Sequence, residues 1–135
     1  MSRETEFAVK WLRKANNDLV TARQTLLLED CPTDTVSFHA QQAIEKSLKA
    51  LLTFLNIEFP RTHDLILLKT LLSETEYQFE NYKREFAEIS GYSVSSRYPD
   101  DFYEPSRADA ENAFHVALEI YKKCDAIIHN KLFDK

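Results

Sequence analysis

An all-α chain is the fold class this sequence predicts: an up-and-down bundle of four main helices plus one short helix, in a single domain over residues 1–135. Three observations carry that prediction. Gly occurs once, at Gly91, and Pro four times, too few turn residues for a β-rich or dinucleotide-binding fold. Apolar residues recur at i, i+3, i+4 and i+7 along most of the chain, the period of helices packed on one side. Turn signals gather at Pro32, at Pro60 and in the 99–105 segment, which leaves long rods joined by short connections. The length suffices to bury a self-supporting core.

The first helix is expected from about Glu4 to Glu29. Ala8, Trp11, Leu12, Ala15, Leu19, Ala22 and Leu26 form its buried stripe, and Cys31-Pro32 ends it. Thr33 or Asp34 is placed to cap the second helix, which runs to about Asn56. Residues 57–62, with Pro60, form a turn. Asp64 caps a shorter helix with Leu65, Leu68, Leu71 and Leu72 inward. A fourth helix, from about Tyr77 to Ser90, turns Phe79, Tyr82, Phe86 and Ile89 inward and stops at Gly91. Residues 91–105 make up the one long irregular stretch, and long loops in compact domains are often functional. Ser106 caps the last helix, with Asp109 three residues on as a shorter analogue of the capping-box acid. That helix continues to about His129 through Ala110, Ala113, Phe114, Ala117, Leu118, Tyr121, Cys124 and Ile128.

The formal net charge of −5 argues against a general nucleic-acid coat, which needs a basic excess. A local basic pocket for one phosphate or one RNA segment remains open, and no DNA partner is expected. Cys31 and Cys124 are too few and too far apart for a metal knuckle or a disulfide framework, so both read as reduced thiols. The charged start from Met1 to Glu6 leads into an amphipathic stretch, without the pattern of a secretory signal or a membrane span. A cytoplasmic protein with no membrane partner is expected.

The most specific text is Phe38-His-Ala-Gln-Gln-Ala-Ile-Glu-Lys-Ser-Leu-Lys-Ala-Leu-Leu52. Ala40, Ala43, Ile44, Ser47, Leu48, Leu51 and Leu55 make one apolar stripe. His39, Gln42, Lys46, Lys49 and Thr53 recur at the same spacing on the opposite face, and Glu45 lies at the side beside Gln41 and Phe38. Lys46 and Lys49 with His39 and Gln42 form a mildly basic strip suited to a phosphate. The plainer reading is a solvated face with an ordinary Glu45–Lys49 pair at i, i+4. His63 reads as a local hydrogen-bonding residue beside Asp64. A di-metal site needs Glu-x-x-His on two helices. The residues three before the four histidines are Val36, Pro60, Asn112 and Ala126, so no metal and no cofactor is expected.

Trp11…Ala15…Asp18-Leu19…Ala22, the string from Phe38 to Leu52, Thr62-His63-Asp64-Leu65, and Arg97-Tyr98-Pro99-Asp100 before a final long helix together resemble the HEPN domain, the nucleotide-binding domain shared by higher eukaryotes and prokaryotes. The resemblance covers nearly the whole chain. It implies a helical bundle that usually forms homodimers. It also implies, for many small prokaryotic members, a cognate minimal nucleotidyltransferase as partner in a toxin–antitoxin system, with a nucleotide or RNA as ligand. Active members are metal-independent ribonucleases whose signature is Arg, four to six residues, then His. Arg stabilises the phosphate charge that develops, and His moves a proton at the 2′-hydroxyl.

This chain departs from that signature. Counting on from Arg97, the positions for His hold Phe102, Tyr103 and Glu104. Arg107 precedes His115 with seven residues between, one too many. Tyr103 is a poor base at neutral pH, because the free side chain has a pKa of about 10. The expectation is a non-catalytic module. The alternatives are a divergent ribonuclease that uses Arg97 with His39 or Tyr103, and a non-catalytic interaction scaffold.

The candidate nucleotide- or RNA-binding residues are therefore Arg97, Tyr98, Asp100 and Tyr103 in the loop, with His39, Gln42, Lys46 and Lys49 on the second helix. Arg97 offers a planar fork of donors that clamps phosphate. Its plainer reading is a staple to Asp100 or Asp101. Tyr98 and Tyr103 suit base stacking or, by the resemblance, modification by a partner transferase. Their plainer reading is a plug at the end of the core.

Overall fold

The computed structural model of the chain describes residues 1–95 and 104–133. Among them are five α-helices and no strand: α1 (Arg3–Leu26), α2 (Thr33–Phe54), α3 (Leu65–Leu71), α4 (Lys83–Ser95) and α5 (Arg107–Phe133), with a 3₁₀ turn at Glu80–Tyr82 before α4. The expected bundle of four main helices and one short one is thus present.

Ser2 Oγ accepts the Thr5 N–H at 3.1 Å and starts α1. Glu4 and Glu6 lie in the first turn, where carboxylates favour the helix dipole. The stripe Ala8, Leu12, Ala15, Leu19 and Ala22 is buried as expected, and Trp11 and Leu26 pack half-buried at its margin.

Helix α2 is the centre of the domain. All four other helices pack against it, so it is buried on nearly every side and has no single solvated face. It starts at Thr33, with Pro32 in the N-cap position and no side-chain cap. The expected cap at Thr33 or Asp34 is corrected: both lie inside the helix, because the Pro32 carbonyl already accepts from Thr35 and Val36. Its end is a Schellman motif. Asn56 takes φ 60°, its N–H bonds Thr53 at 3.1 Å, and the Ile57 N–H bonds Leu52 at 2.9 Å.

Asp64 caps α3 by accepting from Ile66 and Leu67 at 3.0 and 3.2 Å, and Leu65, Leu68 and Leu72 are buried beneath it. The fourth helix begins at Lys83, later than expected, because residues 80–82 take the tighter 3₁₀ turn. It also runs through Gly91. A stop there needs left-handed backbone, and Gly91 does not have positive φ. Within a helix Gly costs only about 1 kcal/mol relative to Ala, so the helix continues.

Ser106 caps α5 through a 3.0 Å bond from Asp109 N–H, and the helix extends past His129 to Phe133. Arg107 Nη2 donates to the Leu26 carbonyl at 2.5 Å. The start of α5 is thereby tied to the end of α1, close to where α2 begins. Cys31 is half-buried and Cys124 fully buried, both as free thiols; burial pushes the Cys124 thiol well above its ordinary pKa. No helix among the described residues is long and apolar enough to cross a membrane.

Candidate functional site

The polar text of α2 separates into two networks. The first lies on the seam between α1 and α2. Asp18 is on the inward side of α1 between Ala15 and Ala22, and only 8% of it is exposed. His39 and Lys46 stand two turns apart on one side of α2, and both reach Asp18. His39 Nδ1 is 2.8 Å from Oδ1, and Lys46 Nζ donates to Oδ2 at 2.6 Å.

An ionised carboxylate only accepts, so the Nδ1 of His39 carries the hydrogen in this contact. The Nε2 then points away from the bond that fixes the ring, and the Phe38 ring packs edge-on at 5.3 Å. About a quarter of the His39 side chain and a fifth of the Lys46 side chain remain in contact with water, 26% and 21%. One carboxylate thus holds an imidazole and an ammonium side by side, and the ammonium keeps two further N–H donors.

The second network lies between α2 and the entry to α3, with Glu45 and Lys49 covered and His63 on the surface. Glu45 accepts from Lys49 at 3.1 Å through Oε2. Its Oε1 faces His63 Nδ1 at 2.8 Å and Gln41 Nε2 at 3.4 Å. Gln41 Nε2 also donates to the His63 carbonyl at 3.1 Å, and its Oε1 accepts from Gln42 at 2.8 Å. The Lys49 ammonium lies over the rings of Trp11 and Phe59, at 5.4 and 5.8 Å.

Two readings are corrected here. Glu45–Lys49 is no solvated pair: the side chains are 4% and 8% exposed, because α2 is covered on that side too. His63 is no merely local residue, since it reaches across 18 positions to Glu45. Removing one partner of a buried, hydrogen-bonded charge pair costs about 3–5 kcal/mol. The bonds from Glu45 to the His63 ring and from Gln41 to the His63 carbonyl fasten the turn after α2 to the helix it leaves.

Of the expected site residues, the structure joins His39 and Lys46 through Asp18. It places Gln42 half-buried on Gln41 and withdraws Lys49 from solvent. Arg97, Tyr98, Asp100 and Tyr103 lie outside the described residues. Asp18 is the residue of this network that sequence reasoning did not place among the candidates. The signal was present: an acid in the middle of an apolar stripe needs a partner from the facing helix.

The family model described as the HEPN domain matches residues 8–127. TT1696 from Thermus thermophilus superposes with a TM-score of 0.75 at 27% identity, over 87% of this chain and 95% of that one. ST0689, described as an archaeal HEPN homologue, superposes with a TM-score of 0.70 at 26% identity, over 95% of this chain and 99% of its own. No curated protein matches the chain.

Proposed function

The chain belongs to the HEPN domain family, and from that premise we propose that it binds a nucleotide or RNA, as the HEPN half of a two-gene system with a minimal nucleotidyltransferase of toxin–antitoxin type. In this reading it acts in the cytoplasm as a homodimer and binds without cleaving. The observation that carries the proposal is the shared carboxylate of the α1–α2 seam. Asp18 fixes His39 at 2.8 Å and Lys46 at 2.6 Å. Both side chains are therefore oriented before a phosphate arrives, and little side-chain entropy is lost on binding.

The segment with Arg97 leads into α5, whose start is tied to the end of α1 by Arg107. That is the end of the bundle nearer His39 and Asp18. Arg97 supplies the bidentate phosphate contact in this proposal. Binding of AMP and of a short RNA, measured before and after Arg97→Ala and Lys46→Gln, tests it. Loss in both variants supports the reading, and unchanged affinity in both removes it. Co-purification with the product of the neighbouring gene tests the partner.

One observation favours a second reading. A carboxylate on Nδ1 is the arrangement that orients a histidine for proton transfer through Nε2, so the Asp18–His39 pair suits a divergent metal-independent ribonuclease. RNA cleaved without divalent metal, and left intact by the His39→Gln variant, would support it.

A further inference from the structure

The surface of α1 next to the seam holds a small cavity of about 240 Å³, lined by Phe7, Lys10, Trp11 and Lys14. Its walls are aromatic and its rim is cationic. The Arg3 guanidinium and the Lys10 ammonium lie 5.6 and 5.3 Å from the centre of the Phe7 ring. Phe7 is 44% exposed. Trp11 is half-buried, with the Lys49 ammonium 5.4 Å from its ring centre.

Helical geometry connects this cavity to the seam. Trp11 and Asp18 are seven residues apart and so share one side of α1, separated by a rise of about 10 Å. Lys14 stands between them, about 6 Å from the level of Asp18. Phe7, Lys10, Trp11 and Lys14 thus continue the strip that Lys46 and His39 begin. The cavity is too small for a whole cofactor, since sites for drug-sized ligands start at about 300 Å³. A single planar ring with its phosphate fits its lining. Aromatic walls with ammonium groups at the rim are what a single strand meets when a base stacks and its backbone is neutralised.

We propose that a short single strand of RNA lies along α1, with one phosphate on His39 and Lys46 and a neighbouring base in the Phe7–Trp11 cavity beside Lys10 and Lys14. The inference rests on the phosphate-binding reading above and adds what that reading leaves open, namely that the ligand is a strand rather than a free mononucleotide.

Trp11 is the chain's one tryptophan, so its emission reports this cavity alone. An oligoadenylate RNA of about six nucleotides, within the usual size of a single-strand site, is expected to quench it saturably. The double variant Lys10→Gln/Lys14→Gln alters two exposed side chains and spares the core. It is expected to weaken RNA binding about tenfold, and to flatten the dependence of log affinity on log salt by about 1.4, at about 0.7 per lost phosphate contact. RNA binding that leaves Trp11 emission unchanged overturns the inference, as does full affinity in the double variant. Quenching by an acidic aromatic peptide but not by RNA overturns it as well and assigns the cavity to a protein partner. The response of the His39 ring to AMP separates the two proposals. If it persists while the Trp11 response fails, the seam site stands without its extension; if both fail, neither stands.

Discussion

The two networks on α2 use the same kinds of residue for opposite ends. At the seam, an acid from α1 holds a lysine and a histidine that keep contact with water. On the other side of α2, Glu45 holds a covered lysine and a histidine that is 69% exposed, and the carboxylate itself is almost wholly covered. Covering a charge makes its partner indispensable to folding. Leaving a pair half-open makes it cheap to lose and available to a ligand.

Unfolding in urea separates the two networks. Glu45→Ala strands a buried ammonium and is expected to cost about 3–5 kcal/mol in urea unfolding. Asp18→Ala leaves groups that water can reach and is expected to cost about 1 kcal/mol. Equal costs would erase the distinction. Lys46→Gln is expected to weaken RNA binding about tenfold, or about 1.4 kcal/mol, while unfolding stays within about 1 kcal/mol of the parent.

His63→Ala removes one donor from Glu45 and leaves Lys49 in place. Its expected cost is about 1 kcal/mol, read from the same unfolding curves. Lys69 and Glu80 give the intermediate case: a buried ammonium meets a half-exposed carboxylate at 2.6 Å. That hydrogen bond holds the Glu80 carboxyl below its ordinary pKa. A carboxyl whose pKa is lowered by folding adds stability above its unfolded pKa and loses it as pH falls through the folded one. Acid unfolding of Lys69→Met is therefore expected to lack a small part of the parent's stability loss below the ordinary glutamate range. An identical pH profile would show that the pair contributes nothing.

Much of the fold was legible because the apolar stripes of α1, α3 and α5 each meet the core on one side. Ser2 in the structure, and Ser106 and Asp64 from sequence, mark helix starts by the same cap chemistry. The reading weakened at α2. Periodicity assigns a polar stripe to solvent, but a helix surrounded by four others has no such side. Glu45 and Lys49 therefore looked like surface residues and are core. Gly91 read as a stop because Gly so often ends helices, yet the stop depends on backbone conformation and that residue stays helical. In the seam network, spacing alone puts His39 and Lys46 on one face of α2. Asp18 does not follow from spacing, because its role exists only once α1 and α2 are packed together.

The most direct test follows the histidine ring signals of ¹⁵N-labelled protein while AMP is added, with His63 as the internal reference. The Nε2 resonance of His39 is expected to move saturably, His63 to stay still, and Lys46→Gln to shift the titration to higher concentration. A His39 signal indifferent to the nucleotide, or one that moves no more than that of His63, contradicts that expectation.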